Sequence, residues 1–388
     1  MPKRKVEQVH IPSRENNLGY GSEQPSLNTQ QQTTATDKFP LDQLPVDLLN
    51  GKNESVIKKK TDMNLSRYLS LLDMKALSLT GNKNLFFGFI KESLEANKLI
   101  KKFLTHVVLG EKNAAEEMLK KDPGLLLHKA KVVDEAGRTI YGTAYQIALG
   151  AKDVSVNSAK FEEMAEMIAR YLKQLPNGKV EMEKQRAEQF PEAWELFEAA
   201  RKAKDSEAIN KVFAAIKNAA TPKAEQDAVK EFLDYLAEQK KQVITAGFHF
   251  NEALFEEALK LYDDNYSAFG GVDSRKNRLA AINVIGSIEK YFTANLAQAA
   301  CDGFGKVAEG KAPLSRKKLL DDNRTSFFDP TLGVSHFVYS YYGGAYVCAG
   351  QLGPKTAFEL LFKNLCRAKT SSLEKLCGFQ SSRQLKNL

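Results

Sequence analysis

Leu41-Asp42-Gln43-Leu44-Pro45-Val46-Asp47-Leu48-Leu49 and, further on, Leu65-Ser66-Arg67-Tyr68-Leu69-Ser70-Leu71-Leu72-Asp73-Met74-Lys75-Ala76-Leu77-Ser78-Leu79 concentrate leucine near the front of the chain. A basic, polar insert over 50–62 separates the two pieces. In the second piece Leu65, Tyr68, Leu69 and Leu72 stand at i, i+3, i+4 and i+7, which predicts a helix with one apolar face. Asp73 is a start signal for a second short helix over Met74–Leu79. Helices this short hold no core of their own. They must pack on the following domain, on a partner, or on both.

Outward from this stretch the chain reads as mainly α. The 388 residues suffice for two or three domains with a substantial core. Residues 1–39 are rich in Gln, Asn, Ser and Thr and hold too few apolar side chains to offset ordering entropy, so a disordered arm is expected there. Over 95–176 a helix ends at Gly110, a second one at Pro123, and the phrase His106–Asn113 is echoed by Gln146–Asp153. Between them Asp134-Glu135-Ala136-Gly137-Arg138-Thr139 reads as a hairpin turn with glycine at the positive-φ position. A further helix is expected over Phe161–Leu175, closed by Pro176-Asn177-Gly178.

Residues 177–388 predict a helical body with one small β-hairpin. Phe190, Trp194 and Phe197 form a stripe expected in the core. Asp205 is expected to cap a helix through Ile209 and Phe213, Thr221-Pro222 to open another, and Asn251 to cap a third through Tyr262. Gly270-Gly271 and Asp273 precede a long helix expected over Arg275–Cys301. Aromatic, β-prone runs around Gly343-Gly344 predict the hairpin near 334–350. A helix over Thr356–Lys369 and a short one through Leu373 and Leu376 complete the chain.

The motifs resemble known families. Leu44-Pro45-Val46-Asp47-Leu48-Leu49 followed by Tyr68-Leu69 and Leu77-Ser78-Leu79 resembles an F-box, with Lys83 and Phe86 or Phe87 fitting its last positions. The insert over 50–62 is a departure, since the family has a nearly continuous helix there. The turn, helix, glycine, helix order of 134–175 resembles an ankyrin repeat, although the echoed glycines lie about forty residues apart against a family period of about 33. With the phrases Phe103–Glu111, Lys121–Leu127 and Phe358–Thr370, the combination is similar to effectors that intracellular bacteria of the Legionella kind inject through a type IV secretion system. This resemblance implies a substrate adaptor delivered to the host cytoplasm. Leu44, Pro45, Leu48, Leu49, Leu69, Leu72 and Leu77 would enter the groove of a host Skp-type adaptor, and the body would bring a host protein to a cullin–RING ubiquitin ligase. The alternatives are a helical scaffold in which 40–90 only caps the next domain, and a thiol hydrolase using His336 and Cys348 across the expected hairpin.

Several chemistries have no support in the sequence. It carries no P-loop, HExxH, GxSxG or CxxC. Cys301, Cys348, Cys366 and Cys377 lack metal spacing, so neither a metal nor a cofactor is expected. The net charge of +8 is diffuse, where a nucleic-acid groove needs a concentrated stripe. No apolar run approaches a membrane span, and the basic N-terminus lacks the apolar core of a secretory leader.

Overall fold

The computed structural model describes residues 83–270, 274–316, 333 and 357–378. All of them belong to the second of two compact units, Met63–Leu388. The leucine-rich ridge over 41–79, the arm over 1–39 and the expected hairpin near 334–350 lie outside the described residues. Those described are 68% helical with a single two-stranded sheet among them, so the fold is mainly α with a small β-hairpin.

The first half of the unit follows the expected punctuation. Helix α1 (Lys83–Val108) stops just before Gly110, which takes φ +71°, and α2 (Lys112–Lys121) follows after a tight connection. Pro123 then opens a 3-10 turn, Pro123–Leu127. Strands β1 (Ala130–Val133) and β2 (Thr139–Gly142) pair antiparallel around the turn read from the sequence, with Val133 opposite Thr139. Gly137 has φ +75°, a conformation L side chains rarely adopt, which is why glycine stands there. Thr143 caps α3 (Ala144–Gly150) in a reciprocal capping box with Gln146. A long connection leads to α4 (Met164–Leu172), so Phe161 falls outside the helix expected to contain it. The echo of the first glycine is displaced: Gly150 ends α3, and Lys152, at φ 51°, takes the left-handed position.

Next come α5 (Gly178–Gln189), α6 (Trp194–Asn218), α7 (Pro222–Lys240) and α8 (Glu252–Asn265). Thr221 and Asn251 cap α7 and α8 as expected. Asp205 is not a cap. It lies buried inside the 25-residue α6, because α6 begins at Trp194 and runs straight through it. The aromatic stripe also divides: Phe190 is buried, but Phe197 is 71% exposed. Phe190 precedes α6 and Phe197 sits in its first turn, so the two share no helix face.

The long helix expected over Arg275–Cys301 is broken. Ser274 caps α9 (Arg275–Arg278), a π-helical turn covers Leu279–Ile285, and α10 (Gly286–Glu289) ends before α11 (Ala294–Asp302). The wider turn keeps Ala280, Ala281, Val284, Ile285 and Ile288 all buried. After α12 (Phe304–Ala308), one continuous helix, α13 (Ala357–Cys377), replaces the two short ones expected at the end.

The apolar interior forms two clusters. The first gathers α1 to α5 around Phe103, Leu126, Tyr145 and Ile168. The second gathers α6 to α12 around Phe213, Phe255, Ile285 and Phe292. Helix α13 belongs to both: Phe362 and Leu365 enter the second cluster, Leu373 and Cys377 the first. Phe362 stacks with Phe292 and meets Phe255 edge-on at 4.9 Å. One helix thus fastens two cores, and each of its buried aromatic or leucine side chains contributes about 2–3 kcal/mol.

Candidate ligand-binding cleft

The two cores meet along two polar regions. One is a closed seam around the left-handed turn at Lys152. Arg316 grips Asp153 with both terminal nitrogens, at 2.6 and 2.8 Å, and also pairs with Glu163. The buried Lys369 amine donates to the carbonyls of Lys152 and Val154. Lys152 reaches Glu252 at 2.6 Å and Thr370 at 3.1 Å. Burial opposes ionisation of Asp153, but the charge and hydrogen bonds of Arg316 outweigh it and hold the carboxyl below its usual range. Burial also pushes the Lys369 amine below its usual range, against the raising effect of Asp153 and Glu163.

The other region is an open cleft of about 770 Å³, which falls within the size range of small-molecule sites. The hairpin supplies its first charged group. Asp134 accepts from the Arg138 backbone and from Arg138 Nε, both at 2.8 Å, so the turn itself aims this guanidinium. Helix α6 supplies the second, with Glu198 and Arg201 one turn apart and paired at 2.7 Å. The floor is the connection between α7 and α8. Ile244 joins it to β2 through two backbone hydrogen bonds, Tyr141 N to Ile244 O and Ile244 N to Thr139 O. Gly247 exchanges hydrogen bonds with Gln189, and His249 N donates to Gly150 O at 2.9 Å.

Both arginines then clamp this floor from above. Arg138 Nη1 donates to His249 O at 2.6 Å, and Arg201 Nη1 to Phe248 O at 2.9 Å. The His249 ring packs so closely on Gly150 that any Cβ there would collide with it. Burial, assisted by the charges of Arg138 and Arg201, pushes the His249 imidazole down to about 3, so the ring is neutral. Asp205, at the back, is fully engaged by Tyr235 at 2.6 Å, Gln239 at 2.8 Å and Asn251 at 2.5 Å. Trp194, Phe197, Phe248 and Tyr291 add an aromatic wall. The Phe248 ring lines this cleft and also receives the Lys152 ammonium at 4.2 Å.

Arg201 Nε and His249 Nδ1 are buried at this cleft without a hydrogen bond, as is Arg316 Nε at the seam, while Arg138 Nη2 is ion-paired to Asp134 at 2.6 Å. Buried donors without partners are uncommon in folded proteins.

Compared with protein-family models, curated proteins and solved structures, the chain matches none.

The residues singled out in the sequence fall elsewhere. Leu44, Pro45, Leu48, Leu49, Leu69, Leu72 and Leu77 lie outside the described residues, as do His336 and Cys348. Burial pushes the thiols of Cys301 and Cys377 up to about 12, so both stay protonated at neutral pH. Among the described residues no group of acidic, histidine or cysteine side chains is arranged to hold a metal, and no helix is long and apolar enough to cross a membrane. The cleft itself was missed. Arg138 was visible only as part of a turn, and Arg201 and His249 carried no signal, because the three come from a hairpin, a helix and a loop far apart in sequence.

Proposed function

We propose that this protein is a non-catalytic adaptor, injected by a bacterium into the host cytoplasm, that docks a host Skp-type protein through Leu44, Pro45, Leu48, Leu49, Leu69, Leu72 and Leu77. The helical body presents a host protein to the cullin–RING ligase so recruited. One observation supports this reading. The last turns of α1, from Ile100 to Val108, are anchored in the first core, whereas Leu94 and Leu99 nearer its start are 55% and 43% exposed. A helix of 26 residues spans about 39 Å, so one end fixed in a core makes it a stiff mount. The leucine ridge precedes that mount directly in the chain. A ridge of leucines entering a partner groove supplies the few large apolar contacts that dominate such interfaces.

The test is co-elution of the purified chain with a Skp-type adaptor on size exclusion. The wild type is expected to form a complex and Leu69→Asp to lose it. Failure of the wild type to co-elute ends this reading. The scaffold alternative predicts instead that protease treatment without a partner leaves 40–90 intact and attached to the body.

A further inference from the structure

We propose that the cleft takes up an extended peptide segment, which adds as a strand along 243–245 and sets an apolar side chain against Trp194 and Phe197. The hydrogen bonds of Ile244 carry the inference. Ile244 N donates to Thr139 O and Ile244 O accepts from Tyr141 N, so this residue turns both backbone groups toward β2 and becomes a short parallel neighbour of the hairpin. Successive residues of an extended chain aim their backbone groups to opposite sides. Val243 and Thr245 therefore aim theirs away from β2, and among the described residues neither has a hydrogen-bond partner. Both are exposed and line the cleft. Sheet edges are commonly blunted by a charged side chain or a proline, and 243–245 holds neither. An open edge of this kind is a template for a further strand.

The side chains of the cleft select the segment. Trp194 and Phe248 meet edge to face at 5.2 Å, and Phe197, 71% exposed, carries this apolar surface to the rim. Main-chain hydrogen bonds supply affinity in strand addition, and a pocket for an alternate side chain supplies specificity. The aromatic corner is that pocket, and it fits a leucine or an aromatic ring. Charge adds a preference for what flanks it. The lining carboxylates are engaged: Asp205 by three donors, Glu198 by Arg201 and Glu238 by Lys241. Lys204 and Lys240 also line the cleft, are exposed, and meet no carboxylate among the described residues. The excess on the rim is positive, which favours a peptide with acidic residues beside its apolar one.

The protein contains its own reporter, since Trp194 is its single tryptophan and lines the cleft. The full chain is titrated with three acetylated, amidated heptapeptides that carry valine at alternate positions, aspartate at both ends, and alanine, leucine or phenylalanine at the centre. The leucine or the phenylalanine peptide is expected to give a saturable fluorescence change, and the alanine peptide to bind at least about threefold more weakly. Of the two alternate sets of peptide amides, methylation of one is expected to abolish binding and methylation of the other to spare it, as only strand addition requires. Thr245→Pro removes an outward N–H at a position where an edge tolerates proline, and is expected to weaken binding about tenfold. Phe197→Ser, on an exposed side chain, is expected to weaken it about three- to tenfold. No saturable change with any of the three peptides up to about 1 mM overturns the proposal, as does equal binding of both methylated forms. Self-association of the full chain that Thr245→Pro abolishes would assign the edge to a second copy and overturn it as well. The adaptor reading is untouched by these outcomes, since its test turns on Leu69.

Discussion

The seam at Lys152 and the cleft at His249 join the same two cores, share the Phe248 ring, and pair their buried charges differently. At the seam, Asp153, Glu163 and Glu252 each face a cation, and the cations also reach backbone carbonyls. In the cleft, each guanidinium is paired within its own element, Arg138 with Asp134 and Arg201 with Glu198, and reaches the floor only through a backbone carbonyl. Ion pairs between distant segments depend on the tertiary fold, whereas pairs three or four residues apart form locally.

The largest expected effect breaks the seam. Asp153→Ala strips Arg316 of its bidentate partner and leaves Glu163 alone to balance the buried Arg316 and Lys369. Loss of one member of a buried pair costs about 3–5 kcal/mol, so denaturant unfolding should show a comparable drop in stability. Arg201→Gln in the cleft takes the partner from the buried Glu198, but its side chain is about a quarter exposed, so it should cost less, about 1–2 kcal/mol. Equal losses in the two variants would erase the distinction drawn between the regions.

Filling the cleft floor should come next. Gly150→Ala drives a methyl into His249 and Gln189, and overpacking of this kind costs about 1–3 kcal/mol.

A pH effect of similar size sharpens the comparison. The unfolded chain protonates His249 below its ordinary value of 6.5, whereas the folded chain does so only near 3. The contribution of the neutral ring is therefore complete above pH 6.5 and is lost as pH falls toward 3. Between pH 6.5 and pH 5 the loss amounts to about 1.5 kcal/mol. Subtracting the unfolding free energies of His249→Gln from those of the wild type at each pH isolates this slope. A flat difference would mean that the imidazole is solvated or already paired.

The smallest expected effect is at the rim. Phe197→Ser should change stability by no more than about 0.5 kcal/mol, because the ring is exposed. A loss of several kcal/mol would place Phe197 in the core, as the aromatic stripe alone suggested.

Local signals were legible wherever the chemistry is local. Gly137 in its turn, Thr221-Pro222 and Asn251 at helix starts, and Gly110 after α1 each act over a few residues, and each does what its side chain dictates. Signals that depended on distant partners misled. Asp205 resembles a cap in sequence, but Tyr235, Gln239 and Asn251 make it a buried acceptor. Phe197 looks like core until α6 turns it outward. The helix from Arg275 is periodic throughout, yet its contacts with the second core reset it by a π-turn.

The sequence by itself determined a mainly α chain and the positions of most of its turns and caps, and it holds the leucine-rich stretch from which the adaptor proposal starts. Only the tertiary structure decided that α13 fastens two cores, that three cations close one junction, and that Arg138, Arg201 and His249 meet across another. The reason is physical. Periodicity and capping are set by neighbours within a turn or two, whereas the pairing of buried charges depends on which distant segments are brought together, and nothing in the local pattern encodes that.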